Sequence, residues 1–152
     1  MTIEINGMKL QKIGIVRNEM KETGMNDCSE IVSEIVLNKE LNDALDCIDE
    51  FSHIIVLYWM HIDHWPGEKP LKNRPRHDPD NPLVGIFATR SPDRPNRIGM
   101  STAKVIERMD NSLIVKGLDA VEGTSVLDIK PYLPRADSVQ DAKLSSWELK
   151  QG

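Results

Sequence analysis

The sequence contains few of the features that would assign it directly to a class of protein. Its 152 residues include only two cysteines, Cys28 and Cys47, which have neither the spacing of a metal site nor the number of a disulfide framework. The longest unbroken apolar run, residues 54–60, is far shorter than the roughly twenty residues of a membrane-spanning helix. No basic-then-apolar leader is present at the N-terminus. We therefore expect a protein of the reducing cytoplasm.

Several common catalytic and nucleotide-binding patterns are also missing. There is no glycine-rich phosphate loop or dinucleotide-binding fingerprint, and the sequence has no nucleophile elbow around a serine. His61, His64 and the more distant His77 could ligate zinc, but no cysteine stands nearby and the His-Glu-x-x-His pattern is absent. We predict no metal. We expect His61 to make one hydrogen bond at the end of a buried strand, and the other two histidines to face solvent.

Positive charge is scarce overall but is concentrated in one segment. The net charge of −5 argues against a broadly basic surface for nucleic acid. Residues 61–100, however, contain seven Lys/Arg against five Asp/Glu, a local +2, and the rest of the chain has 12 against 19, or −7. Three of the four histidines also lie in this segment. It is the place to expect an anionic partner, although a charged, solvated loop would give the same pattern.

The pattern of apolar residues predicts a mainly β fold. Length and composition favour a single domain over residues 1–152, with a core over about 10–134 and a polar tail, 135–152, that caps the fold or frays. One helix is predicted over 38–51, where apolar residues recur every three or four positions, and a long proline-rich loop over 61–82. Strands are predicted at residues 10–16, 29–37, 53–60, 83–89, 101–109, 113–118 and 125–134.

The number and spacing of these strands indicate a small, mostly antiparallel β-barrel of six or seven strands. Residues 53–60 are apolar on both faces, as in a central strand. Asp110-Asn111-Ser112 provides turn chemistry for a hairpin between the strands that flank it. Closure of the sheet would leave no exposed edge.

The loop RSPDRPNRIG, residues 90–99, carries three arginines, two prolines and an asparagine between apolar runs. The X-Pro pairs stiffen its backbone before any ligand arrives, which lowers the ordering cost of binding. The guanidinium groups of Arg90 and Arg94 suit a carboxylate or phosphate, and Asn96 offers both donors and an acceptor. A stiff surface turn whose arginines pair with Asp93 is the alternative.

A second segment, GLDAVEGTSVLDIKPY at residues 117–132, groups carboxylates near a Gly-Thr turn. Asp119 and Glu122 could accept hydrogen bonds from ribose hydroxyls or an amino group, which would complement the arginines of the first loop. Ordinary turn chemistry for Asp119, and an ion pair of Asp128 with Lys130 or an arginine, would also explain these residues.

Four motifs, in this order and spacing, resemble the TsaA-like family, whose characterised members are the TrmO tRNA methyltransferases. The resemblance covers residues 13–134. The motifs are IGIVRN, FSHIIVLYWMH, PLVGIFATRSPDRPNRIGMS and GLDAVEGTSVLDIKPYLP.

The resemblance implies a β-barrel that binds S-adenosylmethionine at or near a homodimer interface and methylates N6 of threonylcarbamoyladenosine next to the anticodon of tRNA. Both loops would then contribute to one cleft. The residues implied in cofactor binding are His61, Ile62, Arg90, Met100, Asp119, Ala120, Val121 and Glu122. The residues expected to face the reacting nucleotide are Arg94, Asn96, Asp128, Lys130 and Tyr132, with Asp128 or Tyr132 as candidate acceptor of the N6 proton.

Two departures from the family pattern bear on the acceptor. Arg97 and Ser125 each stand where the family usually has proline, and Arg97 adds charge that could hold RNA. Longer members of the family also carry a C-terminal domain beyond the length of this chain. A methyltransferase of a small-molecule acceptor and a non-catalytic S-adenosylmethionine-binding module therefore remain as alternative functions.

Overall fold

The computed structural model of the protein describes residues 2–5, 7–22, 27–62, 67–68 and 70–149. For residues 2–5 and 8 it describes the backbone alone. The chain forms two compact units. The first, called the barrel unit, comprises Met1–Ile62 and Ile98–Tyr132. The second, called the loop unit, comprises Asp63–Arg97 and Leu133–Gly152.

Ten strands and several short helices make up the described residues. The strands are β1 (Thr2–Ile5), β2 (Met8–Gln11), β3 (Gly14–Arg17), β4 (Val32–Leu37), β5 (His53–Trp59), β6 (Lys72–Asn73), β7 (Val84–Gly85), β8 (Ile98–Met109), β9 (Ser112–Lys116) and β10 (Ser125–Pro131). The helices are four 3-10 segments, Lys39–Leu45, Ile48–Glu50, Pro75–His77 and Ile86–Ala88, and one α-helix, α1 (Pro134–Asp137). None of these helices has the length and apolar character needed to cross a membrane.

Six strands of the barrel unit close into a barrel in the order β10-β3-β4-β9-β8-β5. Every neighbouring pair is antiparallel, and the pairing of β5 with β10 completes the circle. The predicted fold class, a small antiparallel barrel of six or seven strands, is therefore confirmed. The β8–β9 hairpin with its turn at Asp110-Asn111 and the last strand β10 also lie where the sequence predicts them.

The core lies inside this barrel and is filled by alternate side chains of each strand. β5 has the predicted central position, between β8 and β10, but its burial alternates. Ile54, Val56 and Tyr58 point inward and are at most 5% exposed, whereas Ile55 and Leu57 on the other face are only half-buried. Apolar residues on both faces therefore do not mean equal burial, because only the inner face of a closed sheet meets the core.

The helix predicted over 38–51 is replaced by two 3-10 segments that meet at Cys47, a residue with φ of +63°. The bonds Leu41 N–H to Asn38 O and Asp46 N–H to Asp43 O span three residues instead of four. A 3-10 helix has three residues per turn, so the three-and-four spacing of apolar residues does not form a single face. The described α-helix, α1, lies instead at the start of the predicted tail.

Two predicted strands also differ from the structure. Residues 83–89 form only the two-residue β7 before the chain turns into the 3-10 segment Ile86–Ala88. The predicted strand at 10–16 is divided between β2 and β3, which belong to different sheets. In both cases a short apolar run satisfies the strand pattern, and the pairing partner that decides where a strand ends is not visible in the run itself.

Tyr58 and Gly99 face each other across β5 and β8 inside the barrel. A Cβ atom added at Gly99 would lie 2.3 Å from the Tyr58 ring. The Tyr58 hydroxyl donates to the carbonyl oxygen of Asp119 at 2.5 Å and also lies 3.1 Å from the Ser101 Oγ. A glycine at position 99 therefore lets the ring reach the segment that follows β9.

Replacing Gly99 with alanine should lower the free energy of unfolding by about 3 kcal/mol, because the ring must move and its hydroxyl loses the Asp119 carbonyl. Urea denaturation followed by far-ultraviolet circular dichroism measures this change. Gly85→Ala is the matched control, since a Cβ there meets nothing within 4 Å, and it should change stability by less than about 0.5 kcal/mol. Equal stability of the two variants would contradict the role given to Gly99.

Candidate functional site

One end of the barrel gathers most of the predicted site residues of the barrel unit. The antiparallel pairings bring the ends of β3, β5 and β9 and the beginnings of β4, β8 and β10 to this end. Residues 118–124, within the connection from β9 to β10, are called the 118–124 loop. The predicted residues at this end are His61, Ile62, Met100, Asp119, Ala120, Val121 and Glu122.

Asn18, which follows β3, and Tyr58 hold the backbone of the 118–124 loop. The Asn18 side-chain amide donates to the carbonyl oxygen of Ala120 at 2.8 Å and to the Ser33 Oγ at 2.9 Å. Its Oδ1 accepts from the backbone N–H of Met20. Asn18 and Tyr58 lie inside the motifs IGIVRN and FSHIIVLYWMH, but neither residue is predicted from the sequence to have a role in the site. Polar side chains that bind backbone groups across the barrel make this loop a rigid part of the fold.

Glu122 fastens the same loop through its carboxylate. Oε1 accepts from Arg17 at 2.8 Å and Oε2 from the backbone N–H of Asn18 at 2.7 Å. The Arg17 hydrogen bond and then the Asn18 N–H lower the pKa of Glu122 below its usual value, so it stays ionised at neutral pH. Both oxygens of this predicted ligand-binding residue thus already have partners in the chain.

The other members of the loop divide between core and solvent. Ala120 and Val121 are 4% and 5% exposed, so their side chains belong to the core and only backbone atoms could meet a ligand. Asp119 is exposed, and its carboxylate Oδ1 lies 3.3 Å from the Cys28 Sγ. Asp119 is therefore the exposed carboxylate of the 118–124 loop.

The pKa of the Cys28 thiol is raised to about 11, first by burial and then by the charge and hydrogen bond of Asp119. The thiol donates to the carboxylate and stays protonated at neutral pH. No local sequence pattern indicates this pairing, because the two residues are 91 positions apart.

His61 follows β5 at the same end, where its Nδ1 lies 3.3 Å from the hydroxyl of the buried Thr124. The predicted single hydrogen bond at the end of a buried strand is confirmed. His64 lies outside the described residues, and the exposed His77 has its Nε2 3.8 Å from the Asp93 Oδ2. Among the described residues, no three His, Cys, Asp or Glu side chains are grouped as a metal would require.

Asp128 and Lys130 form an ion pair of 2.8 Å on the outside of β10. The carboxylate raises the pKa of Lys130, first by its hydrogen bond and then by its charge. The ion pair between Asp128 and Lys130 that the sequence allowed as an alternative is thus present in this structure. The roles of both residues toward the methyl acceptor stay predictions.

Tyr132 follows β10 at the opposite end of the barrel from His61. Its ring lies edge-on to His53 with 6.5 Å between centroids, and its backbone N–H donates to the His53 carbonyl oxygen. The length of β10, Ser125–Pro131, separates the two ends by about 20 Å. Within one copy of the chain, Tyr132 and the 118–124 loop therefore do not meet.

The loop unit carries the remaining predicted residues on a turn stiffened by its own hydrogen bonds. Asp93 is 4% exposed, and its backbone N–H donates to the Ser91 Oγ. Arg94 donates from its guanidinium to the carbonyl oxygen of Thr89 at 3.2 Å, directly before the exposed Arg90. Asn96 is also exposed. The rigidity predicted from the prolines is thus strengthened by side-chain bonds.

The contact between Cys28 and Asp119 can be tested through thiol reactivity. In a Cys47→Ser background, Cys28 should react slowly with iodoacetamide at pH 8, because a pKa of about 11 leaves roughly one thiol in a thousand ionised. Asp119→Asn should lower this pKa and speed alkylation several-fold, as mass spectrometry would measure over a range of pH. Asp27→Asn is the control, since Asp27 contributes less than Asp119. A larger increase for Asp27→Asn would contradict the geometry.

The relatives of the chain include a tRNA methyltransferase and S-adenosylmethionine-binding proteins. The tRNA (adenine(37)-N6)-methyltransferase of Escherichia coli (strain K12) is 35% identical over 152 residues, covering 93% of this chain and 64% of the relative. An S-adenosyl-L-methionine-binding protein of Archaeoglobus fulgidus is 39% identical, covering 87% of this chain and 94% of that protein. A probable S-adenosyl-L-methionine-binding protein of the same organism is 40% identical, and this chain spans only 38% of its length.

Solved structures and a family model agree with these relatives. A crystal structure of TrmO superposes with a TM-score of 0.72 at 28% identity, covering 89% of this chain and 62% of that one. TrmO from Pseudomonas aeruginosa gives a TM-score of 0.71 at 28% identity, with 88% and 60% covered. The model of the tRNA-methyltransferase O N-terminal domain matches residues 20–138. The resemblance predicted from the motifs is confirmed, and the chain belongs to the tRNA-methyltransferase O family.

Proposed function

We propose that the protein is an S-adenosylmethionine-dependent methyltransferase that modifies N6 of threonylcarbamoyladenosine beside the tRNA anticodon. The observation that carries the proposal is the family match over residues 20–138, together with the name of the E. coli relative, a tRNA adenine-37 N6-methyltransferase. The relatives named for S-adenosylmethionine support the predicted cofactor. A tRNA substrate also supports the predicted cytoplasmic location.

The residues at the 118–124 end fit an adenosyl ligand by their chemistry. Asp119 offers an exposed carboxylate to ribose hydroxyls, and Ile62 and Met100 offer apolar surface to an adenine. His61 keeps its Nδ1 on Thr124, so its other ring nitrogen can face a ligand. Because the loop backbone is already fixed by Asn18 and Tyr58, little ordering is needed when a ligand binds.

Arg90 is the residue assigned to the carboxylate of the cofactor, since a guanidinium pairs with a carboxylate through two parallel hydrogen bonds. Bound S-adenosylmethionine supplies a methyl group that its sulfonium already activates. The protein's own contribution is then to align the acceptor nitrogen in line with that methyl group and to receive one proton.

Arg94, Asn96 and Lys130 are assigned to the reacting nucleotide and its threonyl carboxylate. The raised pKa of Lys130 keeps its ammonium group charged, which suits an anionic substrate. Asp128 and Tyr132 remain the two candidates for the proton acceptor. The ion pair gives Asp128 a fixed orientation beside Lys130.

A homodimer completes the proposal. Tyr132 lies about 20 Å along β10 from the 118–124 end. A catalytic centre that contains both Tyr132 and the 118–124 loop would therefore take the two from different copies of the chain. The outer face of the barrel supports such an interface, because Ile98 and Met100 on β8 are 41% and 48% exposed and pair with Trp59 and Leu57 on β5. Large apolar side chains exposed side by side are typical of contact surfaces.

The acceptor is tested by incubating the purified protein with methyl-labelled S-adenosylmethionine and tRNA from cells that lack the methylation. We expect label on threonylcarbamoyladenosine after nuclease digestion, and none on tRNA whose position 37 carries unmodified adenosine. Label on both would place the reaction on adenine itself. Label only on small metabolites would identify a small-molecule methyltransferase, and cofactor binding without transfer would identify a binding module, as the name of the A. fulgidus relative suggests.

The division of roles between the two arginines gives a second prediction. Arg90→Ala should abolish measurable cofactor binding in calorimetry, because it removes the partner of the carboxylate. Arg94→Ala should bind the cofactor within a few-fold of the wild type and transfer methyl groups more slowly, since its contact is to the Thr89 carbonyl and its predicted partner is the nucleotide. Equal losses of affinity in the two variants would refute this division.

A further inference from the structure

Residues 71–89 of the loop unit expose three large apolar side chains. Phe87 is 79% exposed, Leu71 is 78% exposed and Leu83 is 57% exposed. They lie on or beside the β6–β7 hairpin, in which Lys72 pairs with Gly85. The backbone N–H of Ile86 donates to the Leu71 carbonyl oxygen at 3.0 Å, which brings Leu71 beside the turn that carries Phe87.

The turn around Phe87 is anchored so that the ring points to solvent. Ile86 is 2% exposed, and its carbonyl oxygen accepts from both the backbone N–H and the hydroxyl of Thr89. Burial of a phenylalanine side chain would stabilise a folded chain, so a nearly fully exposed one held in place by a rigid turn indicates a surface that meets a partner.

Exposed cations lie on the same hairpin and on the turn that follows β6. Lys72 is exposed beside Gly85, and Arg76 is exposed on the 3-10 segment Pro75–His77. Arg76 and His77 both have φ of +57°, a left-handed conformation that non-glycine residues rarely adopt. The buried Asn81 holds this turn by donating to the Pro75 carbonyl oxygen at 3.0 Å and accepting from Arg74.

We propose that Leu71, Lys72, Arg76 and Phe87, called the Phe87 surface, form a docking surface for tRNA. The Phe87 ring would stack on an unpaired base of the anticodon loop, and the two cations would contact phosphates. Aromatic rings combined with Lys and Arg are the usual means of binding single-stranded nucleic acid, whereas an interface between protein copies is depleted of lysine. The inference rests on the proposed function, since it assigns to the tRNA substrate a surface outside the predicted catalytic residues.

Phe87→Leu tests the stacking, because it keeps the surface apolar and removes only the aromatic plane. Fluorescence anisotropy with labelled tRNA from cells that lack the methylation should give a Kd about tenfold higher than that of the wild type, and Phe87→Trp should stay within about twofold. Leu144→Ala, at a residue 62% exposed in the same unit, is the matched control and should leave the Kd unchanged. Cofactor affinity of Phe87→Leu, measured by calorimetry, should also be unchanged.

The cations are tested through the salt dependence of the same binding. Lys72→Ala and Arg76→Ala should each reduce the slope of log K against log salt concentration by about 0.7 to 0.9, because each removes one phosphate contact. Lys143→Ala, an exposed lysine of the tail, should leave the slope as it is.

The outcomes separate this surface from the proposed function. Wild-type tRNA affinity in Phe87→Leu would overturn the surface alone, provided that the wild-type protein methylates tRNA. A lower cofactor affinity in this variant would assign the ring to the cofactor site, and a change from dimer to monomer in sedimentation would assign it to a second copy. Absence of tRNA binding by the wild-type protein would overturn both the surface and the tRNA substrate.

Discussion

The hydrogen bond from the Tyr58 hydroxyl to the carbonyl oxygen of Asp119 connects the interior of the barrel to the loop that carries its exposed carboxylate. The bond depends on Gly99, because any side chain at that position would occupy the volume of the ring. Asn18 makes the corresponding connection on the other side of the loop, through the Ala120 carbonyl oxygen. Polar side chains of the barrel thus fix the backbone of the candidate site, and the loop needs no regular secondary structure of its own.

Some residues of the candidate site hold its backbone in place, and others have polar atoms that a ligand could reach. Ala120 and Val121 face the core, and Glu122 is engaged with Arg17 and Asn18, so these residues give the loop its shape. Asp119 and His61 keep polar atoms toward solvent while one side of each is fixed, by Cys28 and Thr124. Because the loop is already ordered in the folded protein, less conformational entropy is lost when a ligand binds.

The sequence predicts the barrel better than it predicts the details around it. A strand with one buried face shows an alternation of apolar and polar residues in its sequence. The strands β8, β9 and β10 therefore lie close to their predicted positions. Residues 38–51 and 83–89 satisfy helix and strand patterns locally but fold as 3-10 segments, since tertiary contacts decide their bonding. The charged and polar residues of the two loops stand out by their chemistry, whereas the assignment of Met100, Ala120 and Val121 depends on the resemblance to a family. Asn18, Tyr58 and Cys28 were missed because their partners are 61 to 102 positions away and become neighbours only through the register of the barrel.

The points where residues 60–97 leave and rejoin the barrel have a consequence for how the family can diversify. Trp59 and Ile98 are paired across β5 and β8, so the 38 residues between them begin and end at adjacent points of a closed sheet. An insertion with neighbouring ends can change in length or composition without shifting the strand register on either side. The part of this insert between Ile62 and Arg90 can therefore vary while the barrel and the end that carries the 118–124 loop keep their geometry.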